Sequence, residues 1–399
     1  MKLSAPFLDD IDQAAMTEQA LGWSAVNSGT GNLEGLKTVA AMLADAFAVL
    51  PGDAELVDPA PVTAISADGD EFEKAHGQHL VLRVRPEAER RIVLTGHMDT
   101  VFPADHSFQA NSWLDDEVVN GPGTADMKGG IAVMLHALLA LERSENGPQL
   151  GYDVLINSDE ETGSLSSSAL IEELARGKYA ALTYEPSATP EGTLAHARGG
   201  TGNYSLIVRG RSAHAGRNPQ DGRNALVAAA ALAVGLKSLQ TDDCPVNPAK
   251  IEGGAANNVV PDNAVLRFNI RPKEPSAGER FEGGLQALMA EVRQAHEVSV
   301  DLHGGVTRPP KPVDRRAQKL FDLVAKCGAQ LGQHIDWQST GGVCDGNNIA
   351  ACGVPVVDTM GVRGGKIHSP DEFMIVPSLS ERAALSALVL DRLASGESL

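Results

Sequence analysis

Histidine and acidic residues stand in five separate segments of the chain, and their types suit the binding of divalent cations. The first segment, TGHMD at 95–99, ends an apolar run that we predict as a strand. Alternate residues of an extended backbone point to the same side, so Asp99 can accept the second ring N–H of a metal-bound His97. For this motif alone, a capping aspartate beside a surface histidine remains the alternative.

Two further segments place acids before a helix and after a strand. GPGTADMKGG at 121–130 precedes a strongly apolar helix, where Asp126 is either an N-terminal cap or a carboxylate that bridges two cations. NSDEETG at 157–163 follows an apolar strand, and its three adjacent carboxylates repel one another unless cations neutralise them. Neighbouring glutamates point in different directions, so Glu161 can bind a metal while Glu160 faces a water molecule. A solvated acidic turn is the alternative.

The last two segments add Glu185, in YEPS at a predicted strand end, and His368, in IHSPDEF late in the chain. Each is weak evidence alone, because a single glutamate or histidine is usually solvated. Together, two imidazoles and three carboxylates form a mixed nitrogen and oxygen set that suits zinc and lacks the thiolates of a structural site. Two such cations with a bridging water generate a nucleophile at neutral pH. A surface cluster of acids without metal would need all five segments to match by accident.

An α/β sheet would bring these segments to one edge, since open α/β sheets place their ligand sites at the carboxyl ends of strands. The predicted strands lie at 78–84, 91–96, 153–157 and 180–184, and the predicted helices at 33–50, 130–142 and 166–176. From 202 to 303 a second set of strands and helices forms a smaller unit, and the Pro-rich stretch 308–312 marks its exit. We therefore predict a larger domain of 1–195 and 308–399 with an inserted domain of 196–307.

Composition excludes several classes of partner. The 399 residues carry a net charge of −19 and no basic stripe, which argues against nucleic acid. The four cysteines form no CxxC pair and are interpreted as reduced thiols, and the N-terminus lacks the apolar run of a secretory signal. The apolar runs within 226–236 and 383–393 are too short to span a bilayer. We expect a cytoplasmic protein without a membrane partner.

Taken in chain order, GHMDTVF, GPGTADMKGG, SDEETGS, YEPS and HSPDEF resemble the co-catalytic zinc peptidases. That family includes glutamate carboxypeptidase, acetylornithine deacetylase, succinyl-diaminopimelate desuccinylase and aminoacylase, and the chain looks most like the bacterial folate-type glutamate carboxypeptidases. The resemblance runs through nearly the whole chain. It implies an α/β catalytic domain, a mixed sheet with helices on both faces, and an inserted α+β ferredoxin-like domain that serves as lid and forms a homodimer.

The resemblance also implies a ligand set by position. Asp126 would bridge two Zn²⁺ ions per subunit, with Co²⁺ or Mn²⁺ as alternatives, and its peptide bond to the next residue is expected to be cis. His97 and Glu185 would complete one metal site, and Glu161 and His368 the other. At position 185 a glutamate is typical of carboxypeptidases and deacylases, whereas an aspartate often marks aminopeptidases.

Other residues take catalytic and binding roles from the same resemblance. Glu160 would be the general base and then the proton donor to the leaving amine, and Asp99 would orient His97. His214, in GRSAHAG, resembles a histidine that reaches a neighbouring subunit's active site and hydrogen-bonds the developing oxyanion. Without the family, it is only a histidine in a turn.

A carboxylate clamp is expected in the inserted domain. Asn258, in NNVVP, and Arg271 resemble residues that hold the substrate's terminal carboxylate, and Arg308 is a further candidate. The planar guanidinium fork binds a carboxylate bidentately, although a surface ion pair is the alternative for both arginines. Cys344 departs from the small hydroxyl residue or glycine common at its place, and we interpret it as a packed residue and not a nucleophile.

These observations predict a metal-dependent hydrolase, similar to glutamate carboxypeptidase, that cleaves an amide or peptide bond next to a free carboxylate. Its substrates would be small peptides or N-acyl amino acids. An N-acyl-amino-acid deacylase is the alternative among enzymes. A catalytically silent binding or regulatory protein of the same fold is the alternative from another class, and its mark would be the loss of a ligand.

Overall fold

A computed structural model describes residues 5–399. The first four residues, part of the N-terminal stretch that we read as lacking a secretory signal, lie outside the described residues. The chain forms two compact units. The first unit contains the described residues up to Ala60, Ala75–Ala197 and Val313–Leu399, and the second contains Pro61–Lys74 and Arg198–Pro312.

The segment Pro61–Lys74 differs from the predicted division, which placed it in the larger domain. Ile65 of this segment packs against Ile207 and Val265 of the second unit. The guanidinium of Arg267 also donates hydrogen bonds to the carbonyl oxygens of Ile65 and Ser66, at 2.8 and 3.0 Å. The two hydrogen bonds join residues 202 and 201 positions apart, so no local pattern predicts them.

Helices and strands alternate through both units. The α-helices of the described residues are α1 (Gln13–Ser24), α2 (Leu33–Phe47), α3 (Gly129–Arg143), α4 (Ser168–Ala175), α5 (Ala225–Ser238), α6 (Pro275–His296), α7 (Arg315–Gln330), α8 (Asp345–Ala351) and α9 (Ser378–Ala394). The strands are β1 (Asp53–Val57), β2 (Thr63–Ile65), β3 (Glu71–Glu73), β4 (His79–Val84), β5 (Arg90–His97), β6 (Ser112–Trp113), β7 (Val118–Asn120), β8 (Leu150–Asn157), β9 (Ala180–Thr183), β10 (Leu194–Arg198), β11 (Thr201–Arg209), β12 (Val246–Gly253), β13 (Asn263–Ile270), β14 (Ser299–Arg308), β15 (Trp337–Thr340), β16 (Val356–Val357), β17 (Gly364–Gly365) and β18 (Phe373–Ile375).

The first unit is built on a mixed six-stranded sheet in the order β1-β4-β8-β5-β9-β16. β8, β5, β9 and β16 run parallel, so their carboxyl ends meet at one edge. Side chains alternate between the two faces. Ile92 and Leu94 of β5 join the core that includes α3 and α9, whereas Val93 joins the core that includes α4 and α8. The expected mixed sheet with helices on both faces is confirmed.

Helix α3 is apolar all round, which is typical of a helix buried in a protein core. Together with the preceding turn it forms a segment, Thr124–Arg143, long and apolar enough to cross a membrane. The apolar runs singled out in the sequence did not include it. In the structure this segment is almost entirely buried, and α3 packs against α9 and α1.

The second unit has a four-stranded antiparallel sheet in the order β12-β13-β11-β14. Its elements follow the chain as β11, α5, β12, β13, α6 and β14, which is the connectivity of a ferredoxin-like fold. Apolar side chains from alternate positions of the sheet, such as Leu206, share one core with Leu232 of α5 and Leu285 of α6. The expected ferredoxin-like fold of the inserted domain is therefore confirmed.

Candidate active site

The parallel strands deliver acidic and imidazole groups to one edge of the sheet. His97 is the last residue of β5, and Glu160 and Glu161 lie in a turn shortly after β8. Glu185 follows β9 by two residues. His368 lies between β17 and β18 with a φ of 62°, and its side chain is 53% exposed, whereas that of His97 is buried.

The two oxygens of Asp126 face two different imidazoles. Oδ1 lies 3.0 Å from Nε2 of His97, and Oδ2 lies 3.2 Å from Nε2 of His368. Glu185 Oε2 lies 3.7 Å from the same nitrogen of His97, and Glu161 Oε2 lies 3.2 Å from that of His368. Ligand atoms of His97, Glu160 and Glu185 come within 4.8 Å of one another, as do those of His97, Asp126 and Glu161. The peptide bond after Asp126 is cis, as the resemblance implies.

The distances fit cations of the size and coordination of zinc. Ligands about 2.0–2.2 Å from a tetrahedral centre lie about 3.3–3.6 Å from each other. The four separations between imidazole and carboxylate atoms run from 3.0 to 3.7 Å, which brackets that interval. Their chemistry, imidazole nitrogen and carboxylate oxygen without sulfur, is also that of zinc and related divalent ions.

The electrostatics of the cluster favour bound positive charge. Hydrogen bonds with Asp126 and then Glu161 raise the pKa of His368 to about 11. Burial lowers the pKa of His97, but the Glu185 carboxylate and the hydrogen bonds to Asp126 and Asp99 raise it well above its ordinary value. Burial and then the charge of Asp126 raise the pKa of Glu161 to about 7. The cluster therefore captures protons wherever cations do not supply the charge.

Asp99 holds both the histidine and the turn that carries the glutamates. Nδ1 of His97 lies 3.0 Å from the backbone carbonyl of Asp99 and 3.4 Å from its carboxylate. Since a carbonyl oxygen only accepts, Nδ1 carries a hydrogen, and Nε2 is the ring nitrogen that faces the cluster and that a bound cation would meet. The Asp99 carboxylate accepts from the hydroxyl of Thr30 at 2.7 Å and from the backbone N–H of Glu160 and of Glu161, both at 3.2 Å.

Glu372 is a second supporting acid that the sequence did not single out. Its carboxylate accepts the backbone N–H groups of Ala125 and Asp126 at 3.0 Å and that of Gly123 at 3.1 Å. The residue is 1% exposed, and burial followed by the charge of Asp126 raises its pKa to about 7. The motif HSPDEF contains this glutamate, but its local sequence does not show that the side chain contacts the backbone of residues 123–126.

Asp159 does not share the role of its two neighbours. We expected cations to neutralise the run of three acids, but Asp159 accepts from the hydroxyl of Ser167 at 2.7 Å and from the backbone N–H and hydroxyl of Ser166, at 2.6 and 2.9 Å. It therefore fixes the loop that leads into α4. Lys128 is fully buried and donates to the hydroxyl of Ser28 and to the carbonyl of Met98.

The second unit contains the remaining predicted residues. His214 is exposed, and its Nδ1 accepts the backbone N–H groups of Gly216 and Arg217 at 3.1 and 3.2 Å, so Nε2 carries the hydrogen. His214 pairs with Val259 in an isolated bridge, and the N–H of the residue after it donates to the carbonyl of Asn258 at 2.9 Å. The structure therefore places His214 and Asn258 on two adjacent, exposed segments of the second unit.

The two predicted arginines differ in exposure. Arg271 is exposed, and its Nε donates to the side chain of Asn269 at 2.9 Å. Arg308 is 5% exposed and ends β14, opposite Thr201. Because Arg308 is buried, it does not belong to a surface ion pair, which was the alternative for this residue.

Cys344 is buried, as expected of a packed residue, and precedes α8. Its backbone N–H donates to the side chain of Asn347 at 3.2 Å. The next residue, Asp345, accepts from Asn157 at 2.7 Å and from Ser164 at 2.5 Å. These bonds tie the start of α8 to the end of β8, beside the turn that carries Glu160.

Comparisons with known proteins identify similar sequences and folds. The pattern described as peptidase family M20/M25/M40 matches residues 93–392. Carboxypeptidase G2 from Pseudomonas sp. (strain RS-16) is 29% identical over 332 residues, which cover 80% of this chain and 78% of the relative. Succinyl-diaminopimelate desuccinylase from Verminephrobacter eiseniae is 29% identical over 311 residues, covering 73% and 76% of the two chains.

Solved structures show the same fold. A Bacillus subtilis protein described as a dinuclear metal binding peptidase superimposes with a TM-score of 0.67, over 96% of this chain and 99% of the other. At 13% identity this similarity concerns the fold alone.

Proposed function

This chain belongs to peptidase family M20/M25/M40, and on that basis we propose that it hydrolyses an amide or peptide bond next to a free carboxylate, as a glutamate carboxypeptidase does. It is a hydrolase of that family. The observation that carries the proposal is the placement of the two Asp126 oxygens against different histidines, at 3.0 and 3.2 Å. That geometry suits a carboxylate that bridges two cations.

Two Zn²⁺ ions per subunit are the proposed cofactors. His97, Glu185 and one oxygen of Asp126 would hold one ion, and His368, Glu161 and the other oxygen would hold the second. Such a pair supplies the positive charge that polarises a scissile carbonyl and acidifies a water molecule. Co²⁺ or Mn²⁺ are alternatives with the same donor preference for nitrogen and oxygen.

Glu160 is proposed as the general base. Its carboxylate lies in the same cluster as His97 and Glu185, and its backbone is fixed by the Asp99 carboxylate. Glu160 would take a proton from water and then deliver it to the leaving amine. Of the two glutamates in that turn, Glu161 lies 3.2 Å from His368 and is assigned as the metal ligand, which leaves Glu160 as the base.

The second unit is proposed to recognise the substrate. His214 carries its hydrogen on Nε2, which suits a donor to a developing oxyanion, and we assign that role to the histidine of a neighbouring subunit. Asn258, Arg271 and Arg308 are assigned to the substrate's carboxylate. A homodimer through this unit is supported by α5, whose outer face exposes Leu226, Val227 and Val234.

A C-terminal glutamate is the proposed preference. Carboxypeptidase G2 is among the relatives, and Lys366, two residues before His368, is an exposed cation that suits an acidic side chain. An N-acyl-amino-acid deacylase is the second candidate, because a succinyl-diaminopimelate desuccinylase matches at the same 29% identity. The reduced cysteines and the acidic composition support a cytoplasmic location.

A substrate panel tests the proposal. The metal-loaded protein is assayed with N-acyl glutamates, dipeptides that end in glutamate, N-acetylornithine and N-succinyl-diaminopimelate. The proposal expects the highest kcat/KM for the substrates that end in glutamate. A preference for the last two compounds would favour the deacylase, and the absence of both bound metal and amide hydrolysis would favour the silent binding protein.

A further inference from the structure

A cavity lies at the edge of the central sheet opposite the candidate metal-binding cluster. It has a volume of about 410 Å³ and is lined by residues at the starts of β5, β9 and β16 and on α7. β5 runs from Arg90 to His97, and at about 3.3 Å per residue its two ends are roughly 20 Å apart. The cavity is therefore separate from the proposed active centre.

The cavity is basic in a strongly acidic protein. Its charged lining comprises four cations, Arg91, Arg176, Lys178 and Arg316, and one acid, Glu89. The whole chain has a net charge of −19. A concentration of positive charge against that background is unusual and attracts anions to one place.

One buried acid accounts for only part of this charge. Asp153 lies behind the cavity, 1% exposed, and is contacted by Arg91 at 2.8 Å and by Lys178 at 2.5 Å. A single carboxylate thus faces two cations. One of the two cations balances the charge of Asp153, and the other adds positive charge to the lining, which Glu89 offsets in part.

Arg316 is an exposed cation of the lining, and its hydrogen bonds go to carbonyl groups. Its guanidinium donates to the backbone carbonyls of Tyr179 at 3.0 Å and of Gly353 at 3.4 Å. Within residues 5–399 no carboxylate forms an ion pair with it, whereas Arg176 is paired with Glu172 at 2.9 Å. The two carbonyl bonds orient the fork and leave further N–H donors for a ligand.

We propose that this cavity binds a small anionic molecule through a phosphate or carboxylate group, held by Arg316, Arg91 and Lys178. Planar guanidinium forks recognise the oxygens of such groups bidentately, and an ammonium adds a point charge. The cavity is about half open to solvent, and its volume is large enough for a small molecule. Binding here does not depend on the proposed hydrolytic function.

Calorimetric titration of the metal-loaded protein tests the site. Inorganic phosphate and succinate are the two probes, with chloride keeping the ionic strength constant, and the probe that binds more tightly shows which anionic group the cavity prefers. We expect Arg316→Gln to weaken the binding of the preferred probe to the cavity at least tenfold. Arg315→Gln, the same charge change on the neighbouring exposed position of α7, should leave it unchanged.

The active centre is distinguished by kinetics, because a probe that also binds the metals inhibits hydrolysis competitively. That inhibition constant should be the same in wild type and in Arg316→Gln. Arg91→Lys, which keeps the charge and removes the fork, serves as a second variant if Arg316→Gln does not fold. Titration curves that superimpose for wild type and the folded variant would overturn the proposal, as would an equal loss in Arg315→Gln.

Discussion

The candidate metal-binding cluster of the first unit and the His214 region of the second are held in different ways. His97 and Asp126 are buried, and the acids Asp99 and Glu372 fix the backbone around them through five N–H hydrogen bonds between them. His214 and Asn258 are exposed, and backbone contacts between two irregular segments hold them together. Groups that must grip cations need fixed geometry, whereas groups that meet a substrate need access to solvent.

That difference predicts where substitutions act. Changes in the buried cluster should alter metal binding or the chemical step. Changes in the exposed region should alter the stabilisation of bound substrate or of the transition state without affecting the metals.

Removal of the proposed base should have the largest effect. Glu160→Ala is expected to lower kcat by roughly 10²–10⁴-fold, the usual contribution of a positioned acid–base group, while metal content stays unchanged. Activity is measured on the best substrate of the panel, and metal by elemental analysis. Glu173→Ala, on the exposed side of α4, is the matched control. Turnover near that of wild type would remove Glu160 from the base role.

His214→Ala should have the second-largest effect. We expect kcat to fall about 10²–10³-fold, as for the loss of one oxyanion donor, and both metals to be retained. Mixed dimers sharpen the comparison. If His214 serves the neighbouring subunit, combining Glu160→Ala and His214→Ala chains creates one intact site per mixed dimer and restores activity. No recovery in verified mixed dimers would contradict a role across the interface.

Glu372→Gln should weaken metal binding about 10–100-fold, because an amide group would face three backbone N–H donors that now share a carboxylate. Competition with a chelator measures the affinity. Asp371→Asn, the exposed neighbour, is the control. Equal metal affinity in both variants would show that the clamp on the Asp126 loop is dispensable.

The smallest expected effect concerns stability and pH after metal removal. Glu161 titrates near 7 in the folded protein against an ordinary 4.5, and His368 near 11 against 6.5. Both raised pKa values favour the folded state while the groups are protonated, so this contribution is lost as pH rises from about 4.5 towards 11. The Tm of chelator-treated protein should therefore fall more between pH 5 and pH 9 than that of loaded protein. Parallel Tm curves would contradict this.

Much of the fold was predictable because its signals are local. The predicted helix at 130–142 is α3, Gly129–Arg143, and the strand predicted at 91–96 is β5, Arg90–His97. Buried strands and amphipathic helices show their periodicity within a short window. The short strands β6, β7, β17 and β18 were missed, since segments of two or three residues carry no such pattern. The eight-residue strand β12 was missed as well, because Val246 is its only buried residue and its sequence shows no apolar alternation.

The candidate ligands were also visible in the sequence. His97, Asp126, Glu161, Glu185 and His368 have side chains whose chemistry does not depend on their neighbours, and the strand ends that carry them could be located. The sequence by itself therefore determined which groups are available to bind metal and which sheet edge brings most of them together.

Only the tertiary structure decided what supports those groups. The bond from Ala125 N–H to Glu372 spans 247 residues, and that from Thr30 to Asp99 spans 69. The cavity at the opposite edge of the sheet was also decided by the tertiary structure, because its cations come from β5, from the residues before β9 and from α7. A hydrogen bond or an ion pair between distant segments leaves no periodicity in either of them. Such partners become identifiable only when packing has fixed their distance and removed the competing water.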